Sequence, residues 1–503
     1  MIASTSKLGS SEDQTVLFSS AELPQAKGQP ARREATPGEP RVLRAHRNQV
    51  ELRACDLESL LEPQHPARAV WAFVQALDLK PLYARIRSVE GSAGAPAIDP
   101  AIVLALWLWA TIDGVGSARE LERLCERDDT YRWLCGGVGV NHHTLSDFRT
   151  GHGDWLDQQL TRSIAALMER KLVTLHVVAQ DGLRVRAAAK ASSFRRKERL
   201  QELHRQAQQQ VQTLKQELQA DAGASARRKQ AAQERAARER EERLAQALQT
   251  LDDLERQAQQ RAEDKAARRK EKSRRRGGEQ VPCSSPDAAL QTEAQAPEGE
   301  AQAPKDKIEA APPTREWRVS TTDAQARVMK MADGGFRPAY NVQLAVDEAT
   351  QLIAAVDVVT EGSDMHQMEP LHQLVVQRYG STPTHWLADG GYPKHEAIEK
   401  LTRLGTQPIV PPTRGRTGAS DPFKQKASDS PEVAQWRRVM ASDEARELYK
   451  RRGASVECAN AQFRRRGLYG FNVCGQRKAR AVALWHALAH NFMRLRSLGI
   501  AVA

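Results

Sequence analysis

Two short apolar runs each end in an aspartate followed by glycine: VVAQDG, with Asp181 and Gly182, and HWLADGGY, with Asp389 ahead of Gly390, Gly391 and Tyr392. A carboxylate in a β-branched apolar run is expensive to bury unless it is paired or binds a cation. The glycine lets something approach the backbone. By itself an Asp-Gly pair reads as a hairpin turn, but a third acid changes the weighing. Glu457 falls on an expected late helix, with Asn460 three and Arg464 seven positions on, all on one face. Two aspartates on strand edges and a glutamate on a covering helix are placed to converge on two Mg²⁺ ions, which need hard oxygen ligands and few protein carboxylates; Mn²⁺ is the natural substitute. Such a site stabilises both the entering and the leaving oxygen of a phosphodiester displacement. Lys450, Arg451, Arg452, Arg464, Arg465 and Arg466 flank Glu457 and suit a phosphate backbone beside it. An ion-pair network is the alternative for the same charges.

Other acids compete. Asp333 stands in DGGF, nearly repeating DGGY, but follows the charged VMKMA rather than a strand, which makes it a turn residue. Asp347 and Asp357 end the strands of an expected hairpin and read as turn or edge residues. Glu444 and Glu447 share the late helix with fewer basic neighbours.

The elements that must position these residues follow from periodicity. Residues 1–48 are Ser-, Pro-, Gly- and charge-rich without period, and read as a disordered leader. Over 49–172 the pattern is helical: Val70, Phe73, Val74 and Leu77 at helical spacing, Asp99-Pro100 opening an apolar helix, then SARELERLCERD, YRWLCGG, and NHHTLSDFRTGH with Thr144 to Asp147 as a capping box. A helix ending at a glycine turn before a capped helix bearing Arg149 is compatible with a DNA-reading helix-turn-helix; an ordinary helix pair fits the spacing equally. His142 and His143 are adjacent, so they cannot share a metal from one helix face and read as capping or surface groups. From 193 to 276 the chain is almost wholly Gln, Glu, Arg, Ala and Leu, with leucine stripes on either side of DAGAS: two long helices folded as an antiparallel hairpin of coiled-coil type, ending in the basic KAARRKEKSRRRGG. Residues 277–314 read as a flexible linker. Residues 173–192 and 315–503 give strand (Asp181), strand, strand, helix, strand (Asp389), helix, strand, a helix over 441–463 and a last apolar helix. That is an α/β mixed sheet flanked by helices.

Composition limits the function classes. The 503 residues carry a formal net charge of +12, which favours an anionic polymer, most simply nucleic acid, although a basic tail alone accounts for the same total. Six scattered cysteines without a C-x-x-C pair suggest neither a zinc ribbon nor a disulfide framework, and fit a reducing cytosol. The start, MIASTSKLGSSEDQTVLF, lacks the form of a signal peptide. The longest apolar run, AIVLALWLWA, is about half of the roughly 20 residues a membrane span needs, so no membrane partner is expected.

From Asp56 to Leu495 the chain resembles the DDE transposases of bacterial insertion sequences, the group with a helical N-terminal transposase domain and a ribonuclease H-like catalytic domain. The resemblance lies in AIDPAIVLALWLWATIDGVGSARELERLC with NHHTLSDFR, in VVAQDG, in MADGGFRPAYNVQLAVD with the later LADGGY, and in the stretch from Tyr449 to Phe471. The family's late signature, Tyr, Arg, catalytic Glu, then Lys or Arg, is matched by Tyr449, Arg452, Glu457 and Arg464. This chain departs from it in having four residues, not three, between Arg452 and Glu457, and Arg in the last place. The resemblance implies Asp181, Asp389 and Glu457 as a metal-binding triad, with Tyr449 from the same signature in support; position on the chain adds Asn460 in support and Arg149, Arg452, Arg464, Arg465 and Arg466 as expected DNA contacts. It implies metal-activated hydrolysis at the terminal inverted repeats and attack of the freed 3′-hydroxyl on target DNA. It also implies a homo-oligomer, a dimer pairing two ends, at the bacterial nucleoid. A ribonuclease H-like nuclease or resolvase without strand transfer, and an inactive transposase-derived DNA-binding protein, are the alternatives. The helical hairpin is outside the family pattern; dimerisation or DNA bracing is the role its seam and basic edge suggest.

Overall fold

Caps and apolar stripes define the helices ahead of the sheet. The computed structural model describes residues 56–88, 95–220, 224–277, 316–413 and 421–500. The expected leader and, apart from Gly277, the expected linker lie outside these residues. Helix α1 (Pro66–Ala76) buries Val70 and Val74, and α2 (Lys80–Tyr83) is a single turn. In α3 (Pro100–Asp113) the Asp99 side chain accepts from the Ala101 N–H at 2.8 Å, and nearly every side chain is buried. Helices α4 (Ala118–Arg127), α5 (Asp129–Cys135), α6 (His142–Gly151) and α7 (Gly153–Glu169) follow. The capping box expected at Thr144 is not used: α6 starts earlier, and Asn141 caps it by accepting from the Thr144 N–H at 2.9 Å. An Asn there satisfies an orphan amide as well as Thr would three residues on.

The sheet is mixed and six-stranded. Strand β1 (Val177–Arg186) runs antiparallel to the long β5 (Phe336–Asp347) and parallel to β7 (His385–Leu387), which in turn runs parallel to β8 (Gln407–Ile409). Along the other edge of β5, β4 (Arg327–Lys330) pairs with its first residues and β6 (Ile353–Val359) with its later ones. Arg327–Lys330 was not expected as a strand: it is short, charged and at an edge, where half its residues face solvent and periodicity fades. Asp333 is the turn residue expected, in the β4–β5 connection, bonded to Arg337 and the Gly335 N–H.

Helix α10 (Met368–Tyr379) packs on β5 and β6, while α11 (His395–Arg403) and α12 (Pro431–Ala441) pack on β8. The one helix expected over 441–463 is three pieces: α13 (Asp443–Arg452), a π-helical turn Gly453–Glu457, and α14 (Cys458–Arg465). The last helix, α15 (Gln476–Ser497), is buried along most of its length. One buried cluster runs from Leu61 and Trp107 through Trp386 to Trp485 and Phe492, so the N-terminal helices and the sheet share a core.

Between β1 and β4 lie a two-stranded ribbon, β2 (Phe194–Arg195) with β3 (Val319–Ser320), and two long helices, α8 (Lys197–Ala220) and α9 (Ala224–Gly277). They run antiparallel: Lys197 pairs with Asp252 and Glu255, while Gln210 accepts from Arg240. Leu200, Ala207, Leu244, Ala247 and Leu251 are buried with Val319 and Ala324, so the seam also packs on the ribbon. Among the described residues no single helix is long and apolar enough to cross a membrane.

Candidate functional site

Parallel pairing sets the level of two acids. Val177 lies opposite His385 and Ala179 opposite Leu387. Two residues further on each chain, Asp181 and Asp389 follow these partners at the same level, where β7 ends. The Asp389 loop opens at the C-terminal end of β7, the usual crevice of an open α/β sheet, whereas Asp181 lies within β1, opposite Leu344 of β5. Asp389 Oδ1 accepts from the Gly391 N–H at 2.8 Å, and Asp181 Oδ1 from the Gly182 N–H at 2.9 Å. Burial pushes the Asp181 carboxyl up to about 6, against the nearby Arg452 guanidinium and the Gly182 amide; the charge of Asp389 pushes the same way as burial.

Glu457 arrives from above. Residues 453–457 form a π turn, which spends one more residue per turn than an α-helix. That absorbs the extra residue of the Tyr449–Arg464 stretch and returns Arg452 and Glu457 to one face, Arg452 Nη2 lying 3.0 Å from Glu457 Oε1. Arg452 Nη1 stands 3.9 Å from Asp181 Oδ2, so the guanidinium bridges two of the three acids. It lies 5.7 Å from the centre of the Tyr449 ring. Asn460 Nδ2 donates to Asp181 Oδ2 at 2.8 Å and ties α14 to β1.

Beneath the acids is a polar network that the sequence reading missed. Asp364, in the loop after β6, accepts from Asn341 Nδ2 (2.6 Å), Gln343 Nε2 (2.8 Å) and Arg184 Nη2 (3.0 Å). Gln343 Oε1 accepts from the Tyr392 hydroxyl (2.7 Å) and from Gln180 Nε2 (2.9 Å). Burial, and then the charges of Asp364, Asp181 and Asp389, hold the Tyr392 hydroxyl well above its ordinary pKa. The alternation of polar residues Asn341 and Gln343 along an otherwise buried strand was the available signal.

The arginines divide. Arg464 and Arg465 are exposed, and Arg466 is half-buried with its pKa lowered to about 10 by desolvation. Arg149 corrects the expectation of a DNA contact. It is buried, its Nη1 donates to the Gly116 carbonyl (2.5 Å) and Asn472 Oδ1 (2.9 Å), and its guanidinium lies 4.6 Å from the Trp107 ring centre. It ties the N-terminal helices to the segment before α15. His142 is tied to Glu122: its backbone N–H donates to Oε1 at 3.0 Å and its Nδ1 donates to Oε2 at 2.9 Å.

The donor chemistry fits a hard divalent cation: carboxylates, one of them desolvated and raised in pKa, and Asn460 Oδ1 buried without a hydrogen-bond partner among the described residues. Among the described residues no three His, Cys, Asp or Glu side chains close on one point, since Glu457 is turned to Arg452.

A mixed sheet with two acids level beside its parallel strands, and a glutamate brought to them on a π turn, defines an α/β protein. Residues 55–151 match the family model of the transposase domain DUF772, and residues 309–492 match that of the transposase DDE domain, together more than half of the chain. The chain belongs to the DDE transposases of insertion-sequence type, and the DDE match implies a ribonuclease H-like fold. Asp389 and Glu457 fall inside the matched range; Asp181 is separated from it by α8 and α9. No curated protein and no solved structure matches the chain.

Proposed function

We propose that this transposase cuts the ends of its element and joins them to target DNA with Asp181, Asp389 and Glu457 as the acidic triad. The observation that carries the reading is the β1–β7 register, level at Asp181 and Asp389, with Asn460 holding the Glu457 segment over Asp181. Mg²⁺, or Mn²⁺ in its place, supplies the Lewis acidity that phosphodiester displacement needs at the entering and leaving oxygens. Asp181 would hold the cations from within β1 and Asp389 from the end of β7, and Glu457 would complete the set from the π turn. Asn460 orients Asp181 through its amide. Arg452, stacked near Tyr449, exchanges Glu457 for a phosphate oxygen once the acids are otherwise engaged. Exposed Arg464 and Arg465 extend that positive surface along the backbone of the bound end.

On this reading residues 49–172 bind the terminal inverted repeats, and the working form in the nucleoid is a dimer pairing two ends. The α8–α9 hairpin is an insertion into the catalytic domain. The test incubates purified protein with labelled element-end DNA, Mg²⁺ and a target plasmid, comparing wild type with Asp389→Asn. Joined products from wild type, absent from the variant, are expected. Cleavage without joining would replace the reading with a nuclease, and binding that is unchanged in both, without cleavage, with a DNA-binding protein alone.

A further inference from the structure

Helix α9 outruns its partner. The start of α8 at Lys197 is level with Asp252 and Glu255, yet α9 continues to Gly277, about 33 Å further at 1.5 Å per residue. The apolar seam ends at Leu254, and every residue from Gln259 to Arg268 is exposed. A helix that is polar all round draws no stability from an apolar face.

The overhang nonetheless meets the rest of the fold at two places, the loop after β6 and the start of α11. Arg261 is 3.4 Å from Glu361, and Arg268 is 3.3 Å from Glu396. Both contacts flank the acids. The Glu361 carbonyl accepts from Asn341 Nδ2, which also holds Asp364, and its carboxylate accepts from Gln367 Nε2 at 3.0 Å. Glu396 opens α11, just past the Asp389 loop, and is paired with Lys394 at 2.8 Å. The overhang therefore crosses beside the loop that holds Asp364 and the helix start that follows the Asp389 loop. Each ion pair is solvent-exposed on both sides, so neither contributes much stability, and each is readily exchanged for another anion.

We propose that the α9 overhang is a phosphate-binding strap that holds duplex DNA beside the carboxylates, with Arg261 and Arg268 resting on Glu361 and Glu396 until DNA replaces them. This rests on the DNA reading above. Acids clustered at a cutting site repel a polyanion, and cationic side chains beside them add to the compensation that bound cations supply. Arg261, Lys265 and Arg268 share one helix face, rising about 6 and 10.5 Å along the axis. Phosphates on one strand recur about every 3.4 Å along a duplex, so these steps match about two and three of them.

The test measures binding of a random-sequence duplex to the full chain across a salt series, for wild type and for the triple variant Arg261→Gln, Lys265→Gln, Arg268→Gln. Gln keeps helix propensity, and unchanged circular dichroism confirms the fold. Each phosphate contact contributes about 0.9 to the slope of log K against log salt, so the variant slope should be shallower by about 2 to 3. Glu361→Gln with Glu396→Gln should tighten binding at low salt without reducing the slope. An unchanged slope in the triple variant would overturn the strap, and tighter binding by that variant would make the overhang a cover that excludes DNA. Asp389→Asn should keep the wild-type slope, which separates a failed strap from a failed catalytic reading; a wild type that binds no duplex sinks both.

Discussion

Gly182→Ala tests whether the acids depend on the network beneath them. A Cβ at position 182 meets Asp364 Oδ1 at 2.5 Å, Gln343 Nε2 at 2.5 Å and Asn341 Oδ1 at 2.8 Å. None of the three is the loose end of a surface chain, since Asp364 Oδ1 accepts from both amides. Overpacking a tight site costs about 1–3 kcal/mol, and each buried polar group left unpaired as the network parts adds about 1–3 kcal/mol. A loss of about 3–5 kcal/mol is expected, read as a lower urea midpoint at unchanged slope. Because Asp181 is the next residue, strand-transfer activity of the molecules still folded should fall as well. The cause is testable by a double-mutant cycle: Asp364→Ala removes the carboxylate that the new methyl meets, so the two changes together should cost less than their sum by more than about 1 kcal/mol. Additive effects, or a midpoint unmoved by Gly182→Ala alone, would refute the idea that close packing under Gly182 holds Asp181.

Three further outcomes are expected. Deleting Ala454 should convert the π turn to an α turn and keep Arg452 over Glu457 at four-residue spacing, so strand transfer survives within about tenfold; inserting a residue there, which turns the following helix by about 100°, should abolish it. Arg149→Ala should lower the unfolding free energy by about 3 kcal/mol or more, read as a lower urea midpoint, because Asn472 and the Gly116 carbonyl lose a buried cation, while DNA affinity per folded molecule stays unchanged. Burial holds His372 at about 4, His486 at about 3 and His490 at about 4. Their neutral forms therefore contribute stability that is complete above the unfolded value near 6.5 and is lost as pH falls toward 4, where the unfolded chain binds more protons. The urea midpoint should drop steeply over that window, with uptake approaching three protons on unfolding; a midpoint flat from pH 6.5 to 4.5 would show that these imidazoles are hydrated.

What the sequence made legible depended on how local each signal was. Asp181 and Asp389 stood out because an acid and a glycine at the end of an apolar run break a strand pattern within six residues, and parallel pairing then put the two at one level. Arg149 was misread for the converse reason: its charge is visible in the chain, but it is buried against Trp107 of another helix and against Asn472, more than three hundred residues away. Asp364 left no trace, since it sits in an aperiodic loop and its role is set by Asn341, Gln343 and Arg184 on two other strands. The π turn lies between these cases. A helical stripe absorbs one residue too many without changing its look, so 441–463 read as continuous, yet the surplus showed in the longer step from Arg452 to Glu457. An added residue that disrupted the site would have pulled Arg452 off the glutamate. The 3.0 Å contact between them shows instead that the π turn takes up the surplus residue and leaves the guanidinium against the carboxylate.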